Sequence, residues 1–332
     1  MMLRFEDILG HEQIKEYFKN ALERHQVSHA YILTGEAGMG RKTLANAFAM
    51  ALQCEEGKPE PCGKCHSCRQ FLSGNHPDVI YVRHEKVGSI GVDDVREQII
   101  NDVTIKPYSS PYKIYIVDQA ELLTVQAQNA LLKTIEEPPE YAVIFFLTTN
   151  ADSFLPTILS RCTVLKLKPL YDQVIKQYLK DHEKVSDHQA DVCTAFARGN
   201  LGKAIALASS EEFARMQEIV LHLLKHVRDM QVHEMLASMK EMKEANLNIK
   251  DCIDFMELWF RDILMFKATK DTSLFIFKDE YKYIREIADH SSFDGIEKIL
   301  QALDKVKVRL DANVNFELAM ELMLFVMKEN IV

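Results

Sequence analysis

The chain has 332 residues, 47% of them hydrophobic and 27% charged, with a formal net charge of -9. At that length one core rarely suffices, so two or three domains are expected, and the apolar content excludes a disordered chain. The acidic balance gives no general pull toward nucleic acid, whose binding rests on Lys and Arg facing phosphates, so any DNA contact is expected to be local or borrowed from partners. The opening residues MMLRFEDILGHEQ lack the apolar centre of a secretory leader, and no run reaches the roughly 20 apolar residues of a membrane span. A cytoplasmic protein with reduced cysteines is expected.

In chain order, Ile14, Phe18, Ala21 and Leu22 share one face of an opening helix. The runs AYILT (30–34), VIYVR (79–83), KIYIVD (113–118) and AVIFFLTT (142–149) read as buried strands of a mainly parallel sheet. Between them Leu44, Ala47, Phe48, Ala51 and Leu52 recur at helical spacing, as do Val92, Val95, Ile99 and Val103. This alternation predicts an α/β core over residues 1–167. From Pro169 onward only helical patterns occur: a small group over 168–209, with Gly199 and Gly202 near the start of its last helix, and a Met- and Leu-rich set over 210–332. Stripes such as FMELWFRDILMF and FELAMELMLFVM read as core, or as a face that packs against other subunits.

GEAGMGRKT, residues 35–43, follows a strand and precedes a helix, as a phosphate-binding loop does. Such a loop needs glycines so that backbone N–H groups can surround phosphates, a Lys for the outer phosphates, and a hydroxyl to hold magnesium. Gly35, Gly38 and Gly40 supply the first requirement. In the register that Gly35 and Gly40 set, Arg41 takes the Lys position and Lys42 the hydroxyl position; only a one-residue bulge would bring Lys42 and Thr43 into the usual places. Asp118 closes the third strand, where a metal-linked carboxylate is useful, but Gln119 follows, and an amide cannot take a proton from an attacking water. Glu121 is two residues farther along and is expected to point elsewhere. These residues predict weak or absent hydrolysis, with binding of ATP and magnesium doubtful.

CEEGKPEPCGKCHSC places Cys54, Cys62, Cys65 and Cys68 at the spacing C-x7-C-x2-C-x2-C. Four thiolates can close a tetrahedral zinc site, and with no ligand position left open the metal is expected to be structural, pinning an excursion over about 54–68. An iron–sulfur cluster is the other reading, disfavoured because the fourth Cys lies upstream and no Cys-Pro follows. Cys162, Cys193 and Cys252 are isolated, the last two read as small core residues, and His29 and His76 are read as structural.

GEAGMGRKT, KIYIVDQAELLTVQAQNALLKTIEEPP and FFLTTNADSFLPTILSRC, in this order, resemble the clamp-loader branch of the AAA+ family, most closely its non-hydrolysing, stator-type members. The motifs cover about residues 5–205; beyond them the match is only in length and helical character. The resemblance implies a P-loop (AAA+) core, a small helical lid and an all-α collar that builds a five-subunit ring. It implies as partners gamma/tau-type ATPase subunits and a delta-type subunit in a hetero-pentamer, with sliding clamp and primer-template DNA reached indirectly and no membrane. Gly35, Gly38, Gly40, Arg41, Lys42, Thr43, Asp118, Gln119 and Thr149 then form a degenerate nucleotide site. Active relatives carry a nucleotide-contacting Arg in the lid; in GNLGKA (199–204) Gly202 stands there. SRC, Ser160 to Cys162, resembles the motif whose Arg reaches the neighbouring subunit's ATP, so Arg161 is expected to be a trans arginine finger, worth about three to five decades of rate. Two other functions stay open: an active clamp-loader ATPase of gamma/tau type using Lys42, Thr43 and Asp118, and a stand-alone zinc-dependent nucleic-acid-binding factor.

Overall fold

Strands form where β-branched and aromatic residues run together, and here each central run is buried on both faces, as a parallel sheet demands. The computed structural model describes residues 3–84, 88–245, 247–273, 275–312 and 314–331. β1 (Ala30–Thr34), β2 (Val79–Tyr81), β3 (Lys113–Val117), β4 (Ala142–Thr148) and β5 (Thr163–Lys166) make one sheet in the order β2-β3-β4-β1-β5. Every pairing is parallel. β5 is an edge strand absent from the sequence expectation. Its run TVLK alternates half-buried and exposed residues, so it lacks the continuous apolar signal that marks β1, β3 and β4. The expected strands also end sooner: Val82, Arg83, Asp118 and Thr149 lie beyond them.

Two units divide the chain by internal contacts: the stretch up to Leu170 with Asn200–Gly202, and Tyr171–Gly199 with the residues from Lys203 onward. In the first unit, side chains alternate across the sheet. Tyr31, Leu33, Ile114, Ile116, Phe145 and Leu147 face one helical layer, built from α1 (Glu12–Glu23), α2 (Arg41–Leu52) and α3 (His66–Leu72). Ile32, Tyr115, Val117, Ile144 and Phe146 face the other, where α4 (Val92–Val95), α5 (Val125–Glu136) and α6 (Pro156–Leu159) lie. The helix expected over Val92 to Val103 loosens after α4 into a π turn and a 3-10 turn, yet Val95, Ile99 and Val103 all stay buried.

Aromatic stacking ties the first layer to the sheet. Phe18 stacks on Phe48 with ring centroids 4.1 Å apart, and Tyr31 stacks on Phe145 at 5.3 Å, the two pairs meeting edge to face.

The second unit contains no strand among its described residues. Its helices are α7 (Asp172–Tyr178), α8 (Asp187–Ala197), α9 (Leu201–Ala208, its first two residues counted with the first unit), α10 (Glu211–His226), α11 (Val232–Glu244), α12 (Ile249–Thr269), α13 (Tyr281–His290), α14 (Phe293–Asp311) and α15 (Phe316–Asn330). Trp259, Phe255 and Phe277 form its aromatic centre. Beside them the buried Asp262 accepts the backbone N–H groups of Ile276 and Phe277 at 2.7 and 2.9 Å, and burial pushes its carboxyl above the ordinary value. None of the helices, among the described residues, is long and apolar enough to cross a membrane.

Phe48 is fully buried against three other rings. Phe48→Ala is expected to destabilise the first unit by about 3–5 kcal/mol, read by denaturant unfolding.

Candidate functional site

A parallel sheet sends the carboxyl ends of its strands to one edge, and ligands of such folds sit there. The edge here carries the residues picked out by sequence. β1 runs into the glycine-rich loop, with Gly35 N–H held by the Thr148 carbonyl at 3.2 Å, and α2 begins at Arg41. Gly38 and Gly40 have φ of +88° and +95°, the left-handed region that favours glycine. Leu44 N–H donates to Gly40 O at 2.9 Å, so α2 winds regularly from its Gly40 cap.

Lys42 lies in the first turn of α2, and its ammonium donates to Asp118 Oδ2 at 3.2 Å. Thr43 is exposed and one residue beyond. Gln119 has φ +50° and is exposed, with its own N–H turned back to Asp118 Oδ1 at 3.0 Å. Glu121 is engaged elsewhere: its carboxylate accepts the Thr149 hydroxyl at 2.7 Å and the Thr149 N–H at 3.3 Å. Burial raises the Glu121 pKa, but these bonds outweigh it and hold the group below its ordinary value. Arg41 keeps one terminal nitrogen buried without a hydrogen-bond partner.

Sequence reasoning missed the residues that hold the loop from behind. The Asn200 side-chain amide donates to Ala37 O at 2.7 Å, Gly202 N–H to Gly38 O at 3.1 Å, and the His11 ring to Met39 O at 3.0 Å. Burial lowers the His11 pKa, so the ring is neutral at pH 7. Three successive loop carbonyls are thereby capped, by residues far apart in sequence that no local pattern links to the loop. A Cβ on Gly202 would lie 2.5 Å from Gly38 O and 2.8 Å from Gly38 Cα, so this position has no room for any side chain.

The four cysteines converge. Their Sγ atoms all lie within 4.8 Å of one another, and the group can hold a metal ion. Zinc bound at about 2.3 Å in a tetrahedron requires sulfurs about 3.8 Å apart; Cys62 and Cys68 stand at 4.0 Å. Backbone N–H groups point at sulfur, from Cys62 to Cys54, from Lys64 and Cys65 to Cys62, and from Cys68 to Cys65, at 3.3–3.4 Å. The amides of Lys64 and Cys65 lower the Cys62 pKa, while burial raises those of Cys54 and Cys68. Cys54 follows the end of α2 and Cys68 lies in α3, both buried in the first helical layer.

His76 is buried beside this module, with Nε2 near the hydroxyls of Ser67 (3.0 Å) and Ser110 (3.2 Å). The neighbouring Asp78 accepts the N–H groups of Tyr108, Ser109 and Ser110. Both are structural contacts. His29 keeps Nε2 buried with no hydrogen-bond partner.

Arg161 follows α6 by two residues and is exposed. Its Nη1 donates to Thr157 O at 2.9 Å and to Ser160 Oγ at 3.2 Å, and Nη2 pairs with Glu136 at 3.0 Å.

Two family models described as DNA polymerase III, delta subunit, and its C-terminal part match residues 10–171 and 217–329, together well over half of the chain. The chain belongs to the DNA polymerase III clamp-loader family. The delta' subunit of Bacillus subtilis is 28% identical over 325 residues, covering 96% of each chain. The tau subunit of the same organism is 29% identical over 325 residues, covering 91% of this chain and 57% of its own length. A gamma-subunit-related protein from Thermotoga maritima is similar in structure at 20% identity with a TM-score of 0.43, covering 96% of this chain and 99% of its own.

Gly202→Ala forces the loop or α9 to move and is expected to cost about 1–3 kcal/mol in thermal unfolding. Gly202→Arg is expected to leave labelled-ATP binding no stronger than in the parent chain.

Proposed function

We propose that this clamp-loader family member is a delta-prime-like stator that does not hydrolyse ATP and that serves a neighbouring gamma/tau-type ATPase subunit through Arg161. It would act in a hetero-pentamer with gamma/tau and delta subunits and help load the sliding clamp onto primed DNA. In this reading α7–α9 form the lid and α10–α15 the collar.

The observation that carries the reading is the Lys42–Asp118 pair. An ammonium occupies the carboxylate that would otherwise hold a divalent cation, and in the register that puts Lys42 at the hydroxyl position that residue supplies no hydroxyl to the metal. Both side chains are about half exposed, so the pair adds little stability; its effect is to neutralise Asp118 without a metal. The close approach of Gly202 to Gly38 supports the same reading, because it excludes a lid Arg. The likeness to a tau subunit favours the rival, an active ATPase of gamma/tau type.

Purified chain with magnesium and labelled ATP is expected to show neither binding at millimolar nucleotide nor turnover; turnover would restore the ATPase reading. In the assembled ring, Arg161→Ala is expected to slow hydrolysis at the neighbouring site by about 10³- to 10⁵-fold. A ring hydrolysing at its normal rate would end the finger assignment.

We also assign one structural zinc to Cys54, Cys62, Cys65 and Cys68, where the metal would tie the loop after α2 to α3. Elemental analysis is expected to find one zinc per chain, and Cys65→Ser to lose it together with a fall in melting temperature. Metal-free chain of unchanged melting temperature would remove the assignment.

A further inference from the structure

Arg161 does not hang freely from the surface. The short α6 and the residue that caps its end give it two contacts, the Thr157 carbonyl and the Ser160 hydroxyl, both on Nη1. The third comes from another helix: Glu136, the last residue of α5, pairs with Nη2. The two helices are themselves fastened together. Buried Gln128 of α5 donates to Ser153 O at 3.0 Å and accepts Leu155 N–H at 2.8 Å, gripping the segment that leads into α6. Ala127, Leu131, Ile135 and Ile158 close the apolar seam beneath. Glu136 therefore projects from a rigid frame that also carries Arg161.

A guanidinium has five N–H donors. Three contacts on two of its nitrogens leave donors over, and the Arg161 side chain remains 39% exposed. The group is oriented yet still open to an incoming anion. Without Glu136 nothing on α5 would resist rotation of the terminal plane, and a long flexible side chain would have to find its geometry after the phosphate arrives.

Resting on the finger reading above, we propose that Glu136 is the positioning residue for Arg161: it fixes the guanidinium plane in advance, so that the free donors meet the terminal phosphate of a nucleotide held by the neighbouring subunit.

The test is ATP turnover by the assembled complex, with the part that depends on this chain defined as the difference between the parent ring and the Arg161→Ala ring. Glu136→Gln, which keeps shape and removes charge, is expected to cut that part by about 10- to 100-fold with the KM for ATP unchanged. Glu136→Asp is expected to recover some of it, and the Arg161→Ala, Glu136→Gln double variant to lose no more than Arg161→Ala alone. Melting temperatures of the single variants should match the parent, since both groups are exposed. Parent-like or faster turnover in Glu136→Gln, where Arg161→Ala is slow, would overturn the positioning role and leave the finger standing. A parent-like rate in Arg161→Ala would remove both.

Discussion

Parallel pairing is the constraint from which the rest of the first unit follows. With β1 held between β4 and β5, the chain leaving Thr34 must turn at the same edge where β3 delivers Asp118 and β4 delivers Thr149. A parallel sheet needs both faces covered, and the two helical layers meet that need with Phe18 and Phe48 on one side and Ala127, Leu131 and Ile158 on the other. The edge is then a fixed platform, and what it does depends only on which side chains stand there.

Those side chains satisfy one another. Lys42 answers Asp118, Thr149 answers Glu121, and the loop carbonyls of Ala37, Gly38 and Met39 are answered by Asn200, Gly202 and His11. Among the described side chains of the loop and the strand ends beside it, Arg41 retains a buried unpaired nitrogen. Outward, at Arg161, the balance is different, since both it and its partner Glu136 are exposed and the guanidinium keeps donors to spare. In the proposed reading, Arg161 is the group left open to a neighbouring subunit.

Local patterns made much of this visible in the sequence. β1, β3 and β4 are uninterrupted apolar runs, the Gly35 to Thr43 loop and the Cys54 to Cys68 cluster declare themselves by spacing, and Asp118 and Arg161 stand in recognisable motifs. β5 escaped because an edge strand of alternating exposure carries little apolar signal. Asn200, His11 and Glu136 escaped for a different reason: each acts through a partner 25 to 163 positions away, where no periodicity or spacing rule reaches. Even Gly202, noted for the Arg it lacks, gains its meaning only from the backbone pressed against it.

α2 connects two places that seem unrelated. Gly40 caps its first turn, and Cys54 lies two residues past its last. Twelve helical residues make a strut about 18 Å long, buried from Ala47 to Leu52 and open at its first turn. One helix thus carries the glycine cap at its start and leads into the cysteine cluster past its end, so an ion held by the four sulfurs would fasten the far end of the helix whose first turn presents Lys42 to Asp118.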